Sequence, residues 1–238
     1  MSRHVEYVSS AGLRKDGRRP PETRQVNIEF GTMAACDGSC TVTSRKSKVC
    51  ATVLGPRETT NRQEAKYDQV AVTCEVAIAA FAGERRRAAQ RQTIQSEEIS
   101  SAVVQVVRSI VLLSQYPGSQ IHISVEILQN DGSEKIAAIN AACLALVDAN
   151  VAMRDAVCCL NAASLDNHIL IDLTADELRS QCSVLSVAFT GHNTDNIVWF
   201  ETAGRISPDV LSQLLESAKK SAKVLFDEQI KKALEASV

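Results

Sequence analysis

Between Ile121 and Ala149 the chain changes its hydrophobic period once, and that change constrains the whole architecture. Ile121, Ile123, Val125 and Ile127 are apolar at every second position, with His122, Ser124 and Glu126 between them. That period predicts a strand with one face in a core. Asp131-Gly132 then marks a turn, and Ile136 to Ala149, rich in Ala, Leu and Asn, reads as a helix. A strand fed through a tight turn into a helix requires sheet and helix to pack as layers.

The same ingredients recur on both sides. Val26–Phe30, Cys40–Thr43 and Val49–Leu54 are short β-rich pieces separated by Asp37-Gly38 and a basic turn at Arg45 to Lys48, which predicts a hairpin or meander. Arg57 to Asp68 reads as an exposed loop and Val70 to Ile78 as another strand. From about Ser96 to Leu113, apolar residues at Ile99, Val103, Val106, Val107, Ile110 and Val111 line one helical face, with Glu97 and Glu98 in the first turn, where the helix dipole favours acids. Further strands are expected at 156–165, 184–189 and 196–201. Ser207-Pro208 opens a closing helix through Ile230, and Glu235 to Val238 are expected to fray. The order predicts an α+β fold with two similar β-α halves. No Pro/Gly/Ser-rich segment divides it, so one domain is expected over 1–238, including the basic segment at about 9–25.

Composition narrows the function classes. The chain has 238 residues, 45% of them hydrophobic and 23% charged, which is ordinary globular composition. A formal net charge of −2 gives no global attraction to nucleic acid, so contact with RNA has to come from local clusters of Arg and Lys. The eight cysteines are scattered, several inside apolar runs, and read as reduced core residues. Cys36 and Cys40 stand four apart but have no second Cys/His pair at ligand spacing, so no metal or cofactor is expected. The four histidines have no nucleophile motif beside them. No signal core and no apolar run approaching the roughly 20 residues that span a bilayer stand in the sequence, so an intracellular, membrane-free protein is expected.

Two basic segments are the site candidates. Arg14, Lys15, Arg18, Arg19 and Arg24 crowd around an Asp16-Gly17 turn. They could bind RNA or an acidic partner, but bracing of an irregular segment by arginine hydrogen bonds is the preferred reading. Arg85, Arg86, Arg87 and Arg91 fall within seven residues, preceded by Arg62 and Lys66. Planar guanidinium groups fork onto phosphates and stack on bases, so these six are candidate RNA-binding residues. A solvated loop, pairing with a neighbouring subunit and a nuclear localisation signal are the competing readings.

The stretches Leu13–Arg24 and Leu128–Asp148, with Gly55-Pro56, Gly83-Glu84-Arg85 and Met153-Arg154-Asp155, resemble the ribonuclease PH family nearly end to end. The opening stretch is similar to the exosome ring subunits whose archaeal counterpart degrades RNA with phosphate. The resemblance implies the ribonuclease PH fold, of the ribosomal protein S5 domain 2-like type. In active relatives the Asp-Gly turn continues Gly-Thr-Arg and holds inorganic phosphate. Here Gly132 is followed by Ser133-Glu134-Lys135, which puts a carboxylate against the anion and a point charge in place of the guanidinium fork. The duller reading has Gly132 and Ser133 turning and capping the helix while Glu134 complements its dipole. The family's catalytic aspartate falls on Val184 and a second family aspartate near Leu178, and neither side chain can move a proton. Asp176 and Glu177 lie nearby, but an acidic pair at a helix start is usually a capping feature.

The implied function is an inert, RNA-guiding ring subunit of the RNA exosome in 3′–5′ RNA processing, including rRNA maturation and mRNA turnover. It would sit in a six-membered ring with other ribonuclease PH-like subunits, under RNA-binding cap subunits and beside a hydrolytic nuclease. Single-stranded RNA would be its ligand, and nucleus, nucleolus and cytoplasm its compartments. The alternative is an active phosphate-dependent exoribonuclease releasing nucleoside diphosphates, with Lys135 on phosphate and Asp176 or Glu177 as acid.

Overall fold

A computed structural model describes residues 7–9, 12–58, 69–83, 94–165, 168–180, 182–192 and 194–237. The first sheet contains β1 (Val26–Phe30), β2 (Gly38–Ser44), β3 (Ser47–Glu58), β4 (Ala71–Ile78) and β5 (Ser119–Gln129), in the order β1-β2-β3-β5-β4. β4 and β5 are parallel and joined through α1 (Ile94–Ile110); the other pairs are antiparallel. The second sheet, β7-β6-β8-β9, is built from β6 (Val157–Leu165), β7 (His168–Ile171), β8 (Ser183–Thr190) and β9 (Ile197–Ala203), all antiparallel.

Helix α2 (Glu134–Asp148) lies between the sheets. Ile139, Ala141, Ala142, Cys143, Ala145 and Leu146 are all buried, so this helix is apolar nearly all round, as a helix covered on both sides must be. Its C-terminus is tied to the first sheet, where the Ser39 amide donates to Asp148 Oδ2 at 2.8 Å. Helix α4 (Pro208–Leu225) covers the opposite face of the second sheet with Leu214, Ala218, Ala222 and Leu225. Ser207 caps it, accepting from the Val210 amide, with Pro208 at the first helical turn. A π turn at Phe226–Ile230 leads into α5 (Lys231–Ser237), so the chain is helical through Ser237 where the sequence suggests fraying. Among the described residues no helix is long and apolar enough to cross a membrane.

Burial pushes the Cys143 and Cys158 thiols up to about 12; at Cys40, burial and the neighbouring Asp148 charge do the same. These thiols behave as small core hydrophobes. Arg57 and Glu58, expected in a loop, extend β3 and pair with Gln120 and Ser119. Two elements escape the periodicity altogether. β7 and the single turn α3 (Ala175–Leu178) have four residues each, too short for a pattern to register, and tertiary contacts define them.

Candidate functional site

The turn between β5 and α2 is where strand direction, helix start and N-terminal segment converge. The Gly132 amide donates to Asn130 Oδ1 at 2.8 Å, and Gly132 has φ +98°. A Cβ there would meet the Ala175 amide nitrogen at 2.5 Å, so the turn presses on the start of α3 and only glycine fits. Ser133 does not cap α2 with its side chain, contrary to the capping expectation. Its hydroxyl is buried and engaged elsewhere, donating to the Leu173 carbonyl at 2.9 Å and accepting from Arg24 Nη2 at 2.7 Å.

Arg24 is the hub. Its backbone amide and Nε both donate to Asp172 Oδ2, at 2.8 and 2.9 Å, and Nη2 reaches Asp172 Oδ1 at 2.6 Å. Asp172 holds φ +55°, a left-handed conformation that aspartate tolerates better than most residues. Burial would raise its carboxyl pKa. The bonds and charge of Arg24, helped by the charge of Arg18, outweigh that and hold it below the ordinary aspartate range. Arg18 also spans Asp16 at 2.7 Å and the Asp172 carbonyl at 3.0 Å. Arg14 forks onto Glu177. Three of the five N-terminal cations therefore brace the fold, and Lys15 and Arg19 are exposed.

Strand register aligns the second sheet beneath this turn. Asn161, Ser186 and Glu201 lie directly opposite one another on β6, β8 and β9. Asn161 Nδ2 approaches Ser133 Oγ at 3.5 Å and its Oδ1 accepts from the Leu173 amide at 3.0 Å. Glu201 holds Lys135 Nζ at 2.8 and 3.0 Å. Glu134 is engaged by Asn130 and Gln95. The next row on the same face is Ala163, Val184 and Ala203. Val184 packs there against a small apolar cluster of Ala163, Leu165, Leu170 and Leu173. β8 thus presents hydrocarbon at Val184 on the face that meets the turn.

The neighbouring acids are committed. Asp176 is exposed and pairs with Arg179 at 3.3 Å. Glu177 is buried, accepts from the Thr174 amide at 2.8 Å to complete a capping box, and binds Arg14. Beside this network an open cleft of about 260 Å³ is lined by Lys15, Asp16, Arg45, Lys46, Asp131, Thr174, Asp176 and Glu177. The candidate RNA-binding residues Arg62, Lys66, Arg85, Arg86, Arg87 and Arg91 lie outside the described residues. Asp172 and Asn161 were not singled out from the sequence. Asp172 follows a strand too short to recognise, and Asn161 stands inside an apolar run.

Residues 22–152 match the first domain of the 3′ exoribonuclease family model, RNase PH, and residues 155–221 match its second domain. The chain belongs to the RNase PH family. The junction between the two matches falls between α2 and β6, where the first sheet and its helices give way to the second sheet. The chain is 42% identical over 171 residues to an exosome complex component RRP41 homolog of Arabidopsis thaliana, covering 71% of this chain and 70% of that protein. It is 35% identical over 221 residues to the mouse exosome complex component RRP41, covering 92% and 89%. The crystal structure of rice Rrp46 superimposes with a TM-score of 0.81 at 21% identity, covering 93% of this chain and all of that one. A chain of the Archaeoglobus fulgidus exosome with RNA bound to the active site superimposes with a TM-score of 0.78 at 20% identity, covering 92% and 93%. The α+β RNase PH fold expected from the sequence is the fold observed.

Proposed function

We propose that this RNase PH-family chain is a ring subunit of an RNA exosome that guides single-stranded RNA toward a 3′–5′ nuclease without cleaving it. The observation that carries the reading is Val184. It sits in an apolar row with Ala163 and Ala203 on the face that meets the Asp131–Gly132 turn, and a general acid has to titrate within reach of its target. Lys135, the residue nearest in kind to the family's phosphate-binding arginine, is held by Glu201. Glu177 is tied up by Arg14 and a capping box. The likeness to RRP41 proteins supports placement in a ring with other RNase PH-like subunits, RNA-binding cap subunits and a hydrolytic nuclease. Arg62, Lys66, Arg85, Arg86, Arg87 and Arg91 are the proposed RNA contacts, and nucleus, nucleolus and cytoplasm the proposed compartments.

The test is a phosphate-dependence assay on the purified chain, alone and assembled with RNase PH-like partners, following 5′-labelled RNA with and without inorganic phosphate. No turnover, with salt-sensitive RNA binding by the assembly, is the expected result. Phosphate-dependent trimming with release of nucleoside diphosphates would overturn it and establish the active alternative.

A further inference from the structure

The hairpin turn between β2 and β3 has two residues, Arg45 and Lys46, because Ser44 pairs directly with Ser47. Arg45 holds φ +51° at the first turn position, where tight hairpins favour glycine. A side chain kept in the left-handed region without glycine's freedom needs a reason beyond turn formation. The hairpin is also fixed in place, since the Asp131 amide donates to Ser47 Oγ at 3.1 Å. That bond sets Arg45 and Lys46 on the 260 Å³ cleft that Asp131 and Lys15 also line.

The charges in this cleft do not cancel. Asp16 is 2.7 Å from Arg18 Nε and 3.4 Å from Arg45 Nη1, and Asp131 is 3.5 Å from Arg24 Nη1. Asp176 and Glu177, which also line the cleft, pair with Arg179 and Arg14. Each carboxylate facing the cleft therefore has an arginine partner. Lys15 and Lys46 have no carboxylate partner among the described residues. Lys15 Nζ lies only over the Tyr7 ring, 4.9 Å from its centroid. The lining alone carries four carboxylates against three cations; with the arginine partners counted, and with Arg18 and Arg24 shared with Asp172, a positive excess remains that corresponds to the exposed Lys15 and Lys46.

We infer that this cleft, rimmed by Lys15, Arg45 and Lys46, is a second contact site for the phosphodiester backbone of single-stranded RNA, made of residues other than those of the arginine segment at 85–91. The inference rests on the RNA-guiding reading and adds a named surface to it. Cations on mobile stems with no base-reading pocket between them bind phosphates without regard to sequence.

The experiment uses the full chain assembled with its RNase PH-like partners. Arg45→Gly with Lys46→Ser removes both turn cations and restores a favoured turn sequence. Fluorescently labelled oligouridine and oligoadenosine are titrated by anisotropy over a range of salt, with polyglutamate as a competing anion, and melting temperatures are recorded. The expected result is roughly tenfold weaker binding of both RNAs near 0.1 M salt and a log–log salt slope shallower by about 1.4, two contacts at about 0.7 each. The melting temperature should be equal to or above that of the unmodified chain, whereas a purely structural role for Arg45 and Lys46 would lower it. Unchanged affinity and slope, alongside weakening by Arg85, Arg86 and Arg87→Ala, would overturn the cleft and leave the RNA-guiding reading standing. Loss of polyglutamate competition with RNA binding intact would overturn it in favour of an acidic protein segment. An unmodified assembly that does not bind RNA in a salt-dependent way would sink the proposed function and this inference together.

Discussion

Arg14 reaches across 163 positions of sequence to Glu177, with Nε on Oε1 at 2.9 Å and Nη2 on Oε2 at 2.5 Å. The two side chains are 0% and 4% exposed. Arg14 also donates to the Ile171 carbonyl at 2.6 Å and the Asp172 carbonyl at 3.0 Å, so it pins the end of β7 and the start of α3 to the N-terminal segment. Removing one member leaves the other charged, buried and unpaired. Arg14→Ala should therefore cost about 3–5 kcal/mol. The double replacement Arg14→Met, Glu177→Leu should cost much less, because no orphaned charge remains. Urea denaturation of Arg14→Met, Glu177→Leu and the double checks this, and additive losses would show that the pair is not coupled.

Acid should loosen the same region through Asp172. Its folded carboxyl is held below the ordinary value of 3.8, so the stabilisation is fully present above that pH and lost as pH falls through the folded value. Asp16, lowered despite the opposing effect of burial by the bonds and charge of Arg18, adds to the loss in the same window. Stability should be flat in this contribution from pH 7 to about 5 and decline below about 4. Asp172→Asn keeps a residue that accepts φ +55° but leaves Arg24 without its carboxylate, so it should cost about 3 kcal/mol at pH 7 and flatten the acid limb. Thermal melts of both proteins between pH 3 and 7 would show parallel curves if Asp172 carried no linkage.

Two glycines with positive φ separate strain from crowding. Gly17 has φ +85° with nothing within 4 Å of an added Cβ, so Gly17→Ala should cost only about 1 kcal/mol of backbone strain. Gly132 has φ +98° and an added Cβ would lie 2.5 Å from the Ala175 nitrogen and 2.8 Å from its Cα, both backbone atoms. Gly132→Ala should cost about 3 kcal/mol or more, because the turn and α3 have to move apart. Equal melting temperatures for the two variants would mean that the contact with α3 yields freely.

The candidate site was partly legible in the sequence. The Asp131-Gly132 turn, the altered Ser133-Glu134-Lys135 run and the aliphatic residue at 184 can be named from residue types alone. The bracing role of the basic N-terminal segment was also foreseeable, since arginines beside an Asp-Gly turn have fork geometry to satisfy. Their partners were not. Asp172 lies 148 positions from Arg24, and Asn161 lies 28 from Ser133, separations over which no hydrophobic period carries information. The same limit hid Glu201, which reaches Lys135 only because β9 pairs with β8 in register.

The sequence by itself determined the layers. Period-two runs made the long strands, the one-face pattern of α1 and the nearly all-apolar α2 set how much of each helix could be covered, and the Asp131-Gly132 turn set where β5 yields to α2. Those signals are local, because backbone geometry repeats every two or 3.6 residues. Only the tertiary structure decided which cations are spent on buried carboxylates and which remain on the surface. Pairing of that kind depends on distances between segments far apart in the chain. The division between Arg14, Arg18 and Arg24 inside and Lys15, Arg45 and Lys46 outside follows from packing and is not written in any one stretch of residues.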